Sequence, residues 1–412
     1  MLKKRMLVLT PRFPYPVVGG DRIRIQHVCR ALSEHFTLTL LSLCESREEM
    51  DAEPSDGMFA SIHRVYLPRW RSWLNALRAL PGTRPLQLAY YESEAFRSAL
   101  RSLVAEHDLV LAHLIRAGQY ALEADLERAG IPRILEMTDA ISMNYRRIRQ
   151  TPGNRDWKKL LYSVEQRRLE RYERDVVRRF DRVWLTSHSD RLFLNPDETC
   201  PIEVIPNGAD LEHMPFRPPP ADGGNAIVFI ANMVSLPNQD ACHWFLREVF
   251  PRVRAAAPVI FRIVGNAPPS VRRSFEKYQG VEMTGRIEHI RDGVHGAFCG
   301  VCPLRVASGI QNKVLEYLAL GLPCVTSSLG LGGVAALPSR DVLLYHDAEE
   351  AARKILQLYA DPRLRMKLAL AGRALVEHGY DWKNVYAAFQ ASALTIQAQC
   401  SLPASLDAST VA

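Results

Sequence analysis

Two rhythms of apolar and polar positions alternate along this chain. Short, nearly uninterrupted apolar runs of strand length recur at residues 6–10, 37–43, 108–113, 133–137 and 182–186. Such runs predict strands buried on both faces, as in a parallel sheet. The stretches between them have helical spacing: in the first, residues 21–35, Ile25, Val28, Cys29 and Leu32 share one face. This alternation predicts an α/β fold with helices on both sides of the sheet. It breaks at the turn chemistry of Pro206-Asn207-Gly208 and the Pro/Gly-rich stretch from Pro215 to Gly224. It then restarts, with strands expected at 226–231, 259–264, 281–284, 297–303 and 323–327 and helices at 240–254 and 311–320. From Asp347 onward the pattern is helical, over 348–359, 362–378 and 382–397. In the last of these, Trp382, Val385, Tyr386 and Phe389 form an apolar stripe.

Two doubly wound, Rossmann-like parallel-sheet domains follow from this pattern. In such sheets ligands bind outside the carboxyl ends of the strands, so the cleft between the domains is the expected site. The expected division is 1–206 for the first domain and 207–380 for the second. Part of the 381–397 helix is expected to pack back on the first domain, and the small, polar tail 401–412 to be flexible. A length of 412 residues suits two cores, and 47% hydrophobic residues exclude global disorder.

Charge changes the picture in two places. Much of the net charge of +7 lies between residues 144 and 182, where Glu165, Glu170, Glu173 and Asp175 interleave with arginines and lysines at helical spacing. This is either a solvated, salt-bridged helix or a face that attracts phosphates or an anionic membrane. It lacks an aromatic stacking pattern, so nucleic acid is not an expected partner. Nearer the N-terminus, Arg69, Arg71 and Arg78 mix with Trp70, Trp73, Leu74, Leu77 and Leu80. That segment can lie in a bilayer interface or pack on its own domain. No apolar run reaches the roughly 18 residues a spanning helix needs, and the apolar run after Met1-Leu2-Lys3-Lys4-Arg5 is too short for an export signal. The expectation is a cytoplasmic protein, at most peripheral to the inner face of the cytoplasmic membrane. Cys299-Gly300-Val301-Cys302 has metal-ligand spacing, but it sits in an apolar run without a second pair and reads as a buried strand; no metal is expected.

The most informative chemistry is the stretch from Pro303 to Glu316: a strand ends, Ser308-Gly309 turns, and a helix begins. Free backbone N–H groups of Ser308, Gly309, Ile310, Gln311 and Asn312 and the positive helix end would suit a diphosphate. Lys313 adds a full charge one turn in. Glu316, on the same helix face, can accept hydrogen bonds from two neighbouring hydroxyls such as those of a ribose.

This order of residues resembles the donor-binding motif of retaining glycosyltransferases of family 4, which have the two-domain GT-B architecture. The family's second glutamate opens a Glu-Ala-x-Ala-x-Gly-x-Pro-Val-like string, matched here by Glu316-Tyr317-Leu318-Ala319-Leu320-Gly321-Leu322-Pro323-Cys324-Val325. The resemblance implies that Glu316 binds the donor ribose. The family's first glutamate, which contacts the donor sugar, would fall at Ser308, where this sequence departs from the pattern. The Gly309-Ile310-Gln311-Asn312-Lys313 loop is similar to a subgroup associated with exopolysaccharide gene clusters. Residues 11–24, with Gly19 and Gly20, resemble the family's N-terminal glycine loop, and residues 108–113 its strand ending in a cleft histidine, His113. Pro206-Asn207-Gly208-Ala209-Asp210 resembles the interdomain signature, and Thr284-Gly285-Arg286-Ile287 the loop beside the nucleobase. A second departure is the loop from Ala231 through Asn232 to Asn238, which lacks the family's Arg and Lys. Lys313, Arg286 and Arg305 then compete to neutralise the diphosphate, with Lys313 favoured. The resemblance implies sugar transfer with retention from a nucleotide-diphosphate sugar to a glycan or lipid-linked acceptor, in cell-surface polysaccharide synthesis. Lys313, His113 and Arg286 are the expected catalytic residues, and no cofactor or divalent ion is expected. A nucleotide-sugar epimerase on the same fold and a non-catalytic partner subunit are the alternative readings.

Overall fold

The computed structural model describes residues 3–17, 19–123, 130–150, 156–220 and 224–401. The first half forms a seven-stranded sheet with strands β1 (Lys4–Thr10), β2 (Phe36–Cys44), β3 (Ser61–Tyr66), β4 (Leu109–His113), β5 (Arg133–Thr138), β6 (Arg182–Leu185) and β7 (Ile202–Val204). Their spatial order is β3-β2-β1-β4-β5-β6-β7, and every pairing is parallel. The second half forms a six-stranded parallel sheet of β8 (Ala226–Ile230), β9 (Ile260–Val264), β10 (Val281–Gly285), β11 (Ala297–Cys302), β12 (Cys324–Ser327) and β13 (Leu343–Tyr345), in the order β10-β9-β8-β11-β12-β13. These are two doubly wound α/β domains. The expected strands are all present. β3, β7 and β13 were not legible: all three are edge strands, β7 and β13 are only three residues long, and β3 mixes in exposed polar side chains.

Period-two alternation sorts the first sheet into two cores. Leu7, Leu9, Val110, Ala112 and Leu135 face one, while Met6, Val8, Leu109, Leu111 and Ile134 face the other. The second core is closed by the terminal helix Trp382–Ser401, whose Trp382, Val385, Phe389, Ala393 and Ile396 are buried in it. Trp184 Nε1 donates to Ser392 Oγ at 2.9 Å, and the His27 ring stacks on Trp382 at 3.8 Å. The second chain crossing lies beside the first: Ala209 N donates to Tyr380 O at 2.6 Å.

The helix expected at 240–254 is longer. It runs Leu236–Trp244, passes through a π turn at Phe245–Val249, and continues as Phe250–Ala256. Pro251, with no N–H to give and a ring that crowds the preceding turn, sits beside the point where the ladder widens. Cys299 and Cys302 are buried in β11, and among the described residues no cluster of ligands could hold a metal ion. No helix among the described residues is long and apolar enough to cross a membrane. The tail 402–412 and Arg155 of the basic stretch lie outside the described residues.

Candidate active site

On the second domain, β11 delivers the chain into the 303–311 loop, and the helix Asn312–Ala319 starts behind Gln311. Val314, Leu315 and Leu318 bury one face of that helix, which fixes the opposite face toward the cleft. Lys313 Nζ lies 3.4 Å from Asn238 Oδ1 and 5.6 Å from the centre of the Phe229 ring. Asn238 donates to Asn232 O at 2.9 Å, so Lys313 and the loop after β8 meet. The Glu316 carboxylate has no hydrogen-bond partner among the described residues. Burial pushes its carboxyl up to about 7, although Lys313 pulls the other way. It is an unpaired acceptor facing the same side as Lys313.

The three candidate cations separate clearly. Arg305 is committed to Asp240 through two hydrogen bonds, Nε to Oδ2 at 3.0 Å and Nη2 to Oδ1 at 2.5 Å. Arg286 is exposed after β10 and has no partner among the described residues; its neighbour Ile287 packs on the core. Lys313 is half-buried and has no carboxylate within ion-pair distance among the described residues.

The reading of the Ser308–Asn312 loop needs correction. Its N–H groups are not all free for a ligand. Gly309 N donates to Asp190 Oδ2 at 3.0 Å and Ile310 N to Thr186 Oγ1 at 3.2 Å, both acceptors from the first domain. Ser308 Oγ donates to Asp139 Oδ2 and receives a hydrogen bond from Asn144, and Arg147 donates to Ala307 O. Gly309 needs its lack of a side chain here: its φ is 61°, and a Cβ would sit 3.0 Å from Thr186 Oγ1. The helix itself begins only at Asn312, which leaves the N–H groups of its first turn, with Lys313, as the part that can meet an anion.

On the first domain, His113 ends β4 and its Nδ1 lies 2.5 Å from Glu136 Oε2. Glu136, in the middle of the sheet, is fully buried and also receives Arg24 Nε at 2.6 Å. Burial pushes this carboxyl up, but Arg24 and His113 outweigh it and hold it at about 2. Arg24 continues to Asn207 Oδ1 at 2.8 Å, and Asn207 Nδ2 donates to Asn312 Oδ1 at 2.7 Å. One polar chain thus joins His113 to the first residue of the Lys313 helix, with Glu136 fixing the imidazole's orientation. Gly19 adopts φ 102°, open in practice only to glycine, and its carbonyl accepts from Ile23 N at 3.0 Å, starting the helix Gly20–Ser33; Gly20 itself has open space around it.

Sequence reasoning missed Arg24, Glu136, Asp139, Thr186 and Asp190. A signal existed for Glu136, a lone carboxylate in the apolar run Ile134-Leu135-Glu136-Met137. No local pattern marks the others.

Comparison with known proteins agrees with this fold. Residues 19–208 match the glycosyl transferase 4-like domain, and residues 224–361 match the glycosyl transferases group 1 domain. The chain is therefore a glycosyltransferase of the GT-B type. Among solved structures, it is similar to a sucrose-phosphate synthase from Thermosynechococcus elongatus, with TM-score 0.71, 18% identity, and coverage of 96% of this chain and 100% of that one. It is similar to HepE of Anabaena in complex with UDP-glucose, with TM-score 0.64, 14% identity, and coverage of 95% and 99%. It is also similar to WaaG, a glycosyltransferase involved in lipopolysaccharide biosynthesis, with TM-score 0.63, 13% identity, and coverage of 95% and 99%. No curated protein sequence matches it.

Proposed function

We propose that this enzyme transfers a sugar, with retention, from a nucleotide-diphosphate donor to a glycan or lipid-linked acceptor in the assembly of cell-surface polysaccharide. The observation that carries the donor half is the pairing of Lys313, bonded only to a neutral amide among the described residues, with an unpartnered Glu316 carboxylate on the cleft face of one helix. Glu316 accepts the two ribose hydroxyls. Lys313 and the first-turn N–H groups hold the diphosphate, and Arg286 closes from the nucleobase side. As the glycosidic bond to phosphate breaks, negative charge grows on the leaving group. Cations that meet it better then than before lower the barrier. His113, fixed by Glu136, lines the acceptor side, and the departing phosphate takes the acceptor's proton. The complex of the Anabaena protein with UDP-glucose supports this reading of the donor.

A divalent ion has no part in this scheme, so turnover is expected to persist in excess chelator. A loss that added metal restores would overturn that point. The direct test is titration with nucleoside diphosphates and nucleotide sugars, read as thermal stabilisation. One of them is expected to raise the unfolding temperature of the wild type, but not of Glu316→Ala. Equal stabilisation of a folded Glu316→Ala variant would remove Glu316 from the donor site.

Peripheral membrane contact belongs to the same proposal. The helix Arg69–Arg78 leaves Trp70 66%, Trp73 67% and Leu77 61% exposed, with Arg71 and Arg78 beside them. Arg168 donates to Leu80 O and Gly82 O, which sets the basic helix Asp156–Val176 against this segment, with Val164, Arg167 and Arg171 exposed. Exposed tryptophans ringed by arginines suit an anionic lipid surface. Sedimentation with anionic liposomes is expected to be salt-sensitive and to weaken when Arg69, Arg71 and Arg78 are neutralised together. A protein that stays in the supernatant at low salt would refute the contact.

A further inference from the structure

The carboxyl ends of β11, β12 and β13 border a cavity of about 530 Å³ on the second domain. Small-molecule pockets span roughly 300–1,000 Å³, and sheets of this kind take ligands at the carboxyl ends of their strands. Lys313, Glu316, Arg286 and His113 do not line this cavity. Its wall is partly aromatic. The Trp244 and Tyr345 rings are 9° from parallel, with centroids 5.9 Å apart, and both border the cavity. Behind the half-buried Trp244 the helix widens into the π turn Phe245–Val249, which carries Glu248 to the same cavity. Such turns recur at functional sites.

The polar groups around the aromatic pair are uncommitted. Tyr345 is 5% exposed, and its hydroxyl has no hydrogen-bond partner among the described residues. The neighbouring Ser327 hydroxyl already donates to Leu304 O at 2.7 Å and receives Gly330 N at 2.9 Å. A buried hydroxyl without a partner is costly, and a ligand that supplies one recovers the cost. The Glu248 carboxylate and the Ser328 hydroxyl, both exposed, also have no hydrogen-bond partner among the described residues. Asp347 accepts Glu350 N through Oδ1 at 2.8 Å and keeps Oδ2 for another donor. Arg305, on the wall, is neutralised by Asp240.

This set disfavours an anion, which would meet two carboxylates, and an alkyl chain, which would strand the polar rim. It suits a neutral polyhydroxylated ring. The hydroxyls of such a ring both donate and accept, and its C–H face packs on an aromatic side chain. We propose that the cavity is a carbohydrate-binding subsite on the second domain, separate from the place where sugar transfer occurs. It holds a saccharide unit remote from the reacting end of a glycan and so keeps the chain at the enzyme between turnovers. Saccharide binding stands on the cavity alone; the holding of a glycan substrate rests on the glycosyl-transfer reading above.

The test uses the full chain and ligand-observed NMR, with maltotriose, cellotriose, mannotriose and chitotriose as probes and calorimetry for affinity. Wild type is expected to bind at least one of them, and a mixture of UDP, GDP and dTDP not to displace it. Trp244→Ala is expected to weaken that binding on the order of tenfold, and so is Ser328→Trp, which fills the cavity from an exposed position. Glu248→Gln is expected to weaken it less, and Glu316→Ala to keep it. Failure of wild type to bind any probe would overturn the proposal, as would binding that survives all three cavity variants. Displacement by the nucleotides, or loss in Glu316→Ala, would place the sugar in the donor site and overturn it too. Capture of tetramethylammonium in place of every saccharide would make the aromatic pair a cation site instead. Cavity-dependent saccharide binding in an enzyme that takes no nucleoside diphosphate would sink the transfer reading and leave the subsite standing.

Discussion

Glu316 and Glu173 carry the two clearest proton-linked consequences at the scale of single residues. Burial pushes the Glu316 carboxyl up to about 7, so it is half protonated near neutrality. Only the ionised form accepts from both hydroxyls of a ribose. Donor affinity is therefore expected to fall as pH drops below about 7, and to level off above it. Glu316→Gln should flatten that dependence and weaken binding by roughly 1.5–3 kcal/mol. A pH series of calorimetric titrations checks both. Glu173 caps the helix Ile141–Gln150 by accepting from Ile141 N and Ser142 N, and burial pushes its carboxyl from 4.5 up to about 8. The folded state then holds a proton that the unfolded chain releases. That contribution is full below about 4.5 and is lost as pH rises through about 8. Thermal unfolding of wild type is expected to show this decline, and Glu173→Gln to lack it. That Lys313 and Glu316 share one helix was legible in the sequence, because their order after the Ser308-Gly309 turn is itself the signal. Of Arg24, Glu136 and His113, the histidine was read and the lone Glu136 carboxylate left a signal, but their meeting comes from the fold alone, because the three lie on separate elements.

Elements were legible where burial is two-sided. β1, β4 and β11 read as apolar runs because both faces are covered, whereas β3, β7 and β13 sit at edges and carry too little pattern. The terminal helix shows the limit of periodicity: its stripe was plain, but periodicity names no partner. Its partners lie in the first domain: the sheet, through Trp184, and the Gly20–Ser33 helix, through Ile25 and Leu32. Phe389, fully buried at 5.0 Å from the Trp184 ring, is expected to cost about 3–5 kcal/mol as Phe389→Ala. The loss should fall on the first domain, although the residue lies in the last helix of the chain. Hydrogen exchange resolved by domain would read it. Faster exchange confined to β8–β13 would contradict this placement.

At the scale of the whole molecule, the two domains meet through the 307–312 loop, and the Asn312–Ala319 helix is therefore held partly by the first domain. Two of its amides end on Asp190 and Thr186, and Asn312 ends on Asn207. None of this could be read from the sequence, because the acceptors lie more than a hundred residues away from the loop. With the donor site proposed above, closure and donor binding are expected to be two parts of one equilibrium: whatever favours these contacts favours the arrangement that presents Lys313 and Glu316. Thr186→Val isolates the effect. The replacement keeps the shape but removes the acceptor for Ile310 N–H, and with it the hydrogen bond from Thr186 Oγ1 to Thr138 O at 2.8 Å. A buried amide left without a partner costs about 1–3 kcal/mol, and that cost falls on the closed state. Donor affinity and kcat/KM are expected to drop on the order of tenfold, while the variant keeps a cooperative unfolding transition. Small-angle scattering supplies the independent readout. Relative to wild type, the variant should show a larger radius of gyration that shrinks only at saturating nucleotide. If scattering and kcat/KM both match wild type, the loop contacts do not govern closure, and the donor helix is positioned by the second domain alone.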